Sequence, residues 1–221
     1  MEQLKACIFD LDGVVVDTAK YHYLAWKRLA NELGFEFSEQ HNERLKGVSR
    51  MRSLEILLEV GGLTFPPEKM EELAAKKNAW YVEYIKKMTP DEILPGAKEF
   101  LEDLRKNGIR IALGSASKNS PLILDRIELK NHFDAVIDGN SVTIAKPAPD
   151  IFLSAAKALG VSPQHCIVFE DAEAGIEAAI NAGMRTVGIG NPQILSRADF
   201  VVPNLIGFTY SKLVKLFMSP V

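Results

Sequence analysis

Short apolar runs alternate with longer stretches of helical period along most of the chain. The runs are Ala6 to Phe9, Ile109 to Leu113, Ala135 to Ile137, Cys166 to Phe169, Thr186 to Ile189 and Phe200 to Val202, with Gly or acidic residues recurring at their ends. Runs of this length predict buried strands. Between them, Ala97, Phe100, Leu101 and Leu104 share one helical face before Gly108. Ile151, Phe152, Ala155, Ala158 and Leu159 share another before Gly160, and an Ala-rich stretch from Asp171 to Ala182 stops at Gly183. Strands alternating with helices predict right-handed βαβ units, hence a parallel sheet with helices on both faces.

One region breaks the alternation. From Thr18 to Thr89 the pattern is helical only. Leu24, Trp26, Leu29, Ala30 and Leu33 precede Gly34; Leu54, Ile56, Leu57 and Leu58 precede Gly61 and Gly62; Met70, Leu73, Ala74, Trp80 and Tyr81 mark a third helix. Pro90 disfavours helix at Thr89, which suits a boundary there. The expected fold is α/β: a Rossmann-like parallel-sheet core of residues 1–17 and 90–221, with an all-helical domain, 18–89, inserted after the first strand. Such an insertion lies beside the strand ends where open α/β sheets bind ligands. Trp26 and Trp80 are expected in the core of the inserted domain.

Composition narrows the function classes. The chain has 221 residues, 47% hydrophobic and 25% charged, which are ordinary globular values that exclude a disordered or collagen-like chain. A net charge of −3 offers no basic surplus, so neither nucleic acid nor a membrane surface is an expected partner. Asp10 and Asp12 interrupt the first apolar run, against a signal-peptide layout, and no stretch approaches bilayer length. Cys7 and Cys166, the two cysteines, each open an apolar run and read as buried thiols of a reducing compartment. A cytoplasmic monomer is expected. Gly188-Ile189-Gly190 lacks the third glycine of a dinucleotide fingerprint.

The candidate chemistry lies at strand ends. Asp10 and Asp12 follow the first strand, two residues apart, so an extended backbone would turn both carboxylates to one side. Gly13 permits the sharp turn after them. Glu170 and Asp171 close the strand from Cys166. Four carboxylates at neighbouring strand ends repel, by about 4 kcal/mol per pair near 4 Å at an effective dielectric of 20. A hard cation with oxygen ligands, Mg²⁺, relieves this and bridges to phosphate. Ser115 follows the strand from Ile109, and Lys146 lies in Ala145-Lys146-Pro147. A hydroxyl, backbone N–H groups, a lysine and Mg²⁺ together make a cage for a phosphoryl group. Taken alone, Ser115 also reads as the N-cap of a helix before Leu122, and Lys146 as a solvated loop charge.

The ordered set Phe-Asp-Leu-Asp-Gly-Val, Ser115, Lys146-Pro147 and Glu170-Asp171 resembles the haloacid dehalogenase superfamily, specifically its Mg²⁺-dependent phosphotransferases. The resemblance covers the whole chain. It implies that Asp10 is a nucleophile forming an aspartyl-phosphate, and that Asp12 is general acid/base and lends its carbonyl to the metal. Asp171 would bind the metal directly, Glu170 would help hold it, and Ser115 and Lys146 would hold the transferring phosphate. The metal set is thus Asp10, Asp12, Glu170 and Asp171, around one Mg²⁺.

Within that superfamily the stretches Asp12 to His22, Leu45 to Arg50, Lys76-Lys77-Asn78 and Ser115 to Asn119 are similar to the β-phosphoglucomutase family. That resemblance implies a hinge at Thr18 and the linker from Thr89 to Asp91, and a role for His22 in positioning the acid/base. Arg50, Ser117 and Asn119 would grip the phosphate not being transferred, with Ala116 and Lys118 in the same stretch. Lys77 would contact the substrate side; Gly47, Val48, Ser49 and Ser53 would lie near the sugar. Lys76 and Lys77 are adjacent, so at least one of them is expected to be solvated. The main departures from the family lie outside these motifs, as in Asp138-Gly139-Asn140-Ser141.

The implied reaction interconverts β-glucose 1-phosphate and β-glucose 6-phosphate. The phosphoenzyme donates to the sugar, and β-glucose 1,6-bisphosphate, also the primer, turns around and rephosphorylates Asp10. A mutase therefore needs two phosphate holders where a phosphatase needs one. The planar fork of Arg50 suits the second. An Mg²⁺-dependent sugar-phosphate phosphatase on the same core is the alternative. A non-catalytic binding protein would be expected to lose Asp10 or Asp12.

Overall fold

The computed structural model describes residues 4–45 and 48–218. Among them six strands form one parallel sheet in the order β3-β2-β1-β4-β5-β6. They are β1 (Ala6–Phe9), β2 (Arg110–Gly114), β3 (Ala135–Ile137), β4 (Cys166–Glu170), β5 (Arg185–Ile189) and β6 (Phe200–Val202). The parallel α/β expectation is met. Strand order reverses direction around β1, whose neighbours are β2 and β4. The carboxyl ends of strands at such a reversal are where open α/β sheets place ligands.

The chain separates into two compact units, Met1–Asp17 with Thr89–Val221, and Thr18–Met88. The helical unit holds α1 (Ala19–Glu32), α2 (Glu39–Glu43), α3 (Arg50–Gly61) and α4 (Pro67–Ile85). The sheet unit also holds α5 (Ala97–Lys106), α6 (Ser120–Arg126), α7 (Asp150–Leu159), α8 (Glu173–Asn181) and α9 (Tyr210–Met218).

In the sheet unit, β1 shows why a continuous apolar run makes a strand buried on both faces. Ala6 and Ile8 join a cluster with Phe152 and Ala155 of α7 and Ala178 and Ala179 of α8. Phe9 points to the other face. It stacks on Phe169 with ring centroids 4.6 Å apart, and Phe100 of α5 meets both edge-on at 5.9 and 5.3 Å. Such pairs add about 0.5–1.5 kcal/mol beyond burial. Small alanines on α7 and α8 let those helices approach the sheet closely.

Element ends follow local backbone chemistry. Arg110 N–H donates to the Lys5 carbonyl at 3.0 Å, so β2 begins at Arg110 rather than Ile109. The helix expected from Asp171 begins instead at Glu173, because Ala172 is extended (φ −119°, ψ 144°). That turn keeps Asp171 outside the helix at the strand end. In the helical unit, Ser38 accepts from His41 N–H while His41 Nδ1 accepts from Ser38 N–H, both at 3.2 Å, a reciprocal cap for α2. Ser49 caps α3 by accepting from Arg52 N–H at 3.2 Å. Gly62 ends α3 in the left-handed conformation (φ 64°), and Pro67 opens α4 where a missing N–H costs nothing. Trp26 and Trp80 are both buried.

Cys7 and Cys166 are free and buried. Burial raises the Cys7 thiol well above its ordinary range, with a smaller contribution from Cys166. Burial also pushes Cys166 up to about 11. Thiolates are the reactive form, so neither cysteine is expected to react with iodoacetamide at pH 8 in the native protein. Both should be modified in denaturant. Mass spectrometry of the two samples checks this; a singly alkylated native protein would contradict it.

Candidate active site

In the sheet unit, the carboxyl ends of β1, β2 and β4 bring together Asp10, Ser115 and Glu170 with Asp171, and Lys146 joins them from the loop before α7. Asp10 lies one residue past β1, its N–H donating to the Phe169 carbonyl at 2.9 Å. Lys146 Nζ donates to Asp10 Oδ1 at 2.5 Å and to Glu170 Oε2 at 2.9 Å. All three side chains are nearly excluded from solvent, at 9%, 10% and 3% exposed for Lys146, Asp10 and Glu170. Lys146 is therefore not a solvated loop charge. Its ring neighbour is Phe152, whose centroid lies 4.7 Å from Nζ.

The electrostatics of this group are lopsided. Carboxylate oxygens of Asp10, Glu170 and Asp171 all lie within 4.8 Å of one another. At that separation each ionised pair costs about 3.5 kcal/mol at an effective dielectric of 20. Burial, then Asp10 and Asp171, raise the Glu170 carboxyl, while Lys146 opposes the rise. Asp171 is pushed up to about 7, first by desolvation and then by Asp10 and Asp12. Burial lowers Lys146, but Asp10 and Glu170 outweigh it and hold the ammonium charged. One lysine does not balance this many carboxyl groups. Oxygen-only donors, crowded and driven toward neutrality by each other, fit a hard divalent cation, which would return them to the ionised form.

Two glycines make that crowding geometrically possible. Gly13 has φ +74°, and a Cβ there would lie 2.0 Å from Asp171 Oδ2. A Cβ on Gly175 would lie 2.0 Å from Glu170 Cδ. Gly13 serves the turn expected of it and also admits Asp171. Gly175 carries no local signal beyond being a glycine inside a helix, and only the packing of α8 under Glu170 explains it.

Asp12 is half-buried, in the turn after β1, and pairs with Val16 through backbone. The strand ends at Phe9, so strand alternation does not itself align Asp10 with Asp12. Both nonetheless face Asp171 closely enough to raise its pKa. Ser115 is buried, and its Oγ accepts from Ser117 N–H at 3.1 Å. It is not a helix cap: α6 begins at Ser120, with Asn119 at the capping position. Ser117 Oγ in turn accepts from Asn119 N–H at 3.3 Å. Residues 115 to 119 thus form one tightly wired loop after β2.

The helical unit gathers a second group. Thr18 and His22 lie one turn apart at the start of α1; Lys77 and Tyr81 lie one turn apart on α4. Tyr81 Oη donates to Thr18 Oγ1 at 3.3 Å, and the His22 ring stacks on Tyr81 at 4.1 Å. Lys77 is 2% exposed, with Nζ 4.4 Å from the Trp26 ring and 4.9 Å from Tyr81. Its Nζ is 2.9 Å from His22 Nδ1. An ammonium only donates, so Nδ1 accepts and the proton of the neutral ring sits on Nε2. Desolvation, then Lys77 and Arg50, lower the His22 pKa well below its usual value. Arg50 is half-buried at the start of α3, and desolvation lowers its own pKa.

Other residues named from the sequence fall as follows. Ser53 is buried on α3 and Val48 is 40% exposed. Ser49 is occupied as the α3 cap. Gly47 lies outside the described residues. Lys76, unlike Lys77, is solvent-facing and pairs with Glu32. Sequence reasoning named Tyr81 only as an apolar position. Its signal was the i, i+4 spacing from Lys77, opposite the same spacing of Thr18 and His22.

Sheet order, the carboxylate group at the β1 and β4 ends and the Lys146 bridge make one strand-end site suited to a divalent cation and an anionic ligand. The family model of haloacid dehalogenase-like hydrolases matches residues 4–183, and the chain belongs to that family. Among its relatives, a β-phosphoglucomutase of Bacillus subtilis is 47% identical over 90% of this chain and 89% of its own. A fructose-1-phosphate phosphatase of Escherichia coli is 33% identical over 85% and 97%. A crystal structure of a β-phosphoglucomutase from Clostridium difficile superposes with a TM-score of 0.91 at 42% identity, covering 97% of each chain. No helix among the described residues is long and apolar enough to cross a membrane.

Proposed function

We propose that the protein is a β-phosphoglucomutase, interconverting β-glucose 1-phosphate and β-glucose 6-phosphate through an aspartyl-phosphate on Asp10. The observation that carries this is the 47% identity to the Bacillus subtilis mutase across nine-tenths of the chain. The buried Asp10–Lys146–Glu170 group supports it.

In this reading Asp10 Oδ attacks the phosphorus, and the bond to the sugar oxygen breaks. Asp12 gives that oxygen a proton when it leaves and removes one from the sugar hydroxyl in the return step. Lys146 and Ser115 hold the equatorial oxygens of the moving group. Lys146, charged and excluded from water, supplies fixed positive charge without reorganisation. Asp10, Glu170, Asp171 and the Asp12 carbonyl would hold one Mg²⁺, which when bound offsets charge on the transferring phosphate. His22, neutral and protonated on Nε2, has a donor free of the Lys77 contact with which to orient the acid/base. Arg50, Ser117 and Asn119 would grip the other phosphate, Val48, Ser49, Ser53 and Lys77 would line the sugar side, and Thr18 with residues 89–91 would be the hinge. β-Glucose 1,6-bisphosphate would prime the cycle.

The test is one tube containing protein, Mg²⁺, β-glucose 1-phosphate and a trace of the bisphosphate, followed for both glucose 6-phosphate and orthophosphate. Glucose 6-phosphate far outrunning orthophosphate, and depending on primer, is the expected result. Orthophosphate alone would instead assign the sugar-phosphate phosphatase activity that the Escherichia coli relative's name carries.

Gly175→Ala probes the metal site without touching a ligand. The added methyl must displace Glu170, and loss of such support typically weakens metal binding about 10- to 100-fold. Titration calorimetry with Mg²⁺ is expected to show that loss. Unchanged affinity would remove Glu170 from the metal's surroundings.

A further inference from the structure

Asp138 to Ser141 follow β3 and pack on the loop after β2. Two hydrogen bonds and one close backbone approach join the two segments. Gly139 N–H donates to the Ser117 carbonyl at 3.3 Å. Asn140 Nδ2 donates to the Lys118 carbonyl at 3.2 Å. A Cβ on Gly139 would lie 2.2 Å from the Ala116 carbonyl oxygen, so the two backbones touch where no other residue fits. The carbonyls of Ser117 and Lys118 thus accept from this segment, and that of Ala116 lies against Gly139.

Asp138 holds this contact surface together. Its residue is 8% exposed. Oδ1 accepts from Asn140 N–H at 2.9 Å and from Ser141 Oγ at 2.9 Å; Oδ2 accepts from Asn140 Nδ2 at 3.0 Å. Both protons of the Asn140 amide are thereby used, one on Asp138 and one on the Lys118 carbonyl. The carboxylate, through that amide, sets where the carbonyl sits. From the loop's side, Ser115 N–H donates to the Ile137 carbonyl at 3.0 Å, so the loop is tied to the end of β3 in both directions.

We infer that Asp138, Gly139 and Asn140 form a buckle that positions the Ser117–Asn119 stretch of that loop for binding the non-transferring phosphate. They are positioning residues, since none of them is assigned a contact with substrate. This rests on the mutase reading of that loop. A grip on a phosphate that must arrive in two orientations gains from a loop ordered beforehand, because ordering it at each binding event would cost affinity.

Asn140→Ala removes one amide bridge at an exposed position, and Asn140→Asp keeps its size but loses both donors. Asn140→Ala is expected to fold with a wild-type thermal midpoint and Asn140→Asp, which sets a second carboxylate against Asp138, with a lower one, so both are assayed below their midpoints. The KM for β-glucose 1-phosphate and for the bisphosphate primer should rise about 10-fold, the equivalent of one or two hydrogen bonds. The rate at which acetyl phosphate labels Asp10 should not change, because that donor has no second phosphate. Asn140→Gln, which keeps the donor, should recover part of the KM. Gly139→Ala is expected to show the larger KM effect if it folds. Unchanged KM values in both Asn140 variants, or labelling that falls in step with KM, would overturn the buckle. Wild-type protein that yields only orthophosphate would overturn the mutase reading instead. In that case the buckle is judged by the KM for a sugar bisphosphate relative to acetyl phosphate in the same variants.

Discussion

Asp10→Asn is expected to abolish both turnover and covalent labelling. Removal of a catalytic nucleophile commonly costs about 10⁴-fold or more, and the amide can neither attack phosphorus nor keep its charge pairing with Lys146. Asn is the better probe than Ala because it keeps the volume in a buried group, where Lys146 Nζ still finds an acceptor. The check is steady-state flux together with phosphoprotein mass after incubation with acetyl phosphate. A mass gain of one phosphoryl group in the variant would move the nucleophile elsewhere. Folding should survive, since the substitution also relieves repulsion among carboxylates packed within 4.8 Å.

Arg50→Ala should separate the two halves of the proposed cycle. Loss of a charged, forked donor from a phosphate costs roughly 2–4 kcal/mol, or about 30- to 1,000-fold in kcat/KM. Mutase flux should fall by that factor while hydrolysis of acetyl phosphate stays within about 2-fold. Equal losses in both assays would reduce Arg50 to a structural charge of the helical unit. A second effect is expected at His22. Arg50 is one of the groups that lower its pKa, so the imidazole pKa should rise in the variant. Lys77 and burial remain, and the ring should still be neutral at pH 7. NMR titration of the His22 ring reads this directly.

Much of the fold was legible because its signals are local. Each strand is a short apolar run, and strands buried on both faces need no alternation to be seen. The helices of the sheet unit carry small residues on the faces that meet β1 and β4. The uninterrupted helical pattern between Thr18 and Thr89 was equally plain. Boundaries were less so: β2 starts where Arg110 reaches the Lys5 carbonyl, and α8 starts after the extended Ala172. Neither depends on the residue's own propensity. Ser115 was ambiguous between a helix cap and a ligand hydroxyl. The distance of α6 from it, with Asn119 intervening, removed the cap reading.

The sequence by itself determined the alternation that makes a parallel sheet, the helical insertion, and which carboxylates close β1 and β4. It also carried the ordered set of motifs by which the family is known. All of these are written in windows of a few residues, where hydrophobic period and turn chemistry act. Only the tertiary structure decided which charges meet. Lys146 bonds Asp10 across 136 positions and Glu170 across 24, and it does so because β1 and β4 are paired in register, Phe9 beside Phe169. Lys77 is sealed under Trp26 and Tyr81 while Lys76, one residue away, faces solvent; the roughly 100° step of a helix, set by how α4 packs on α1, chose between two identical side chains. Gly139 and Gly175 carry no local signal of their roles. Their roles come from the distance between backbones that the chain brings together only when folded.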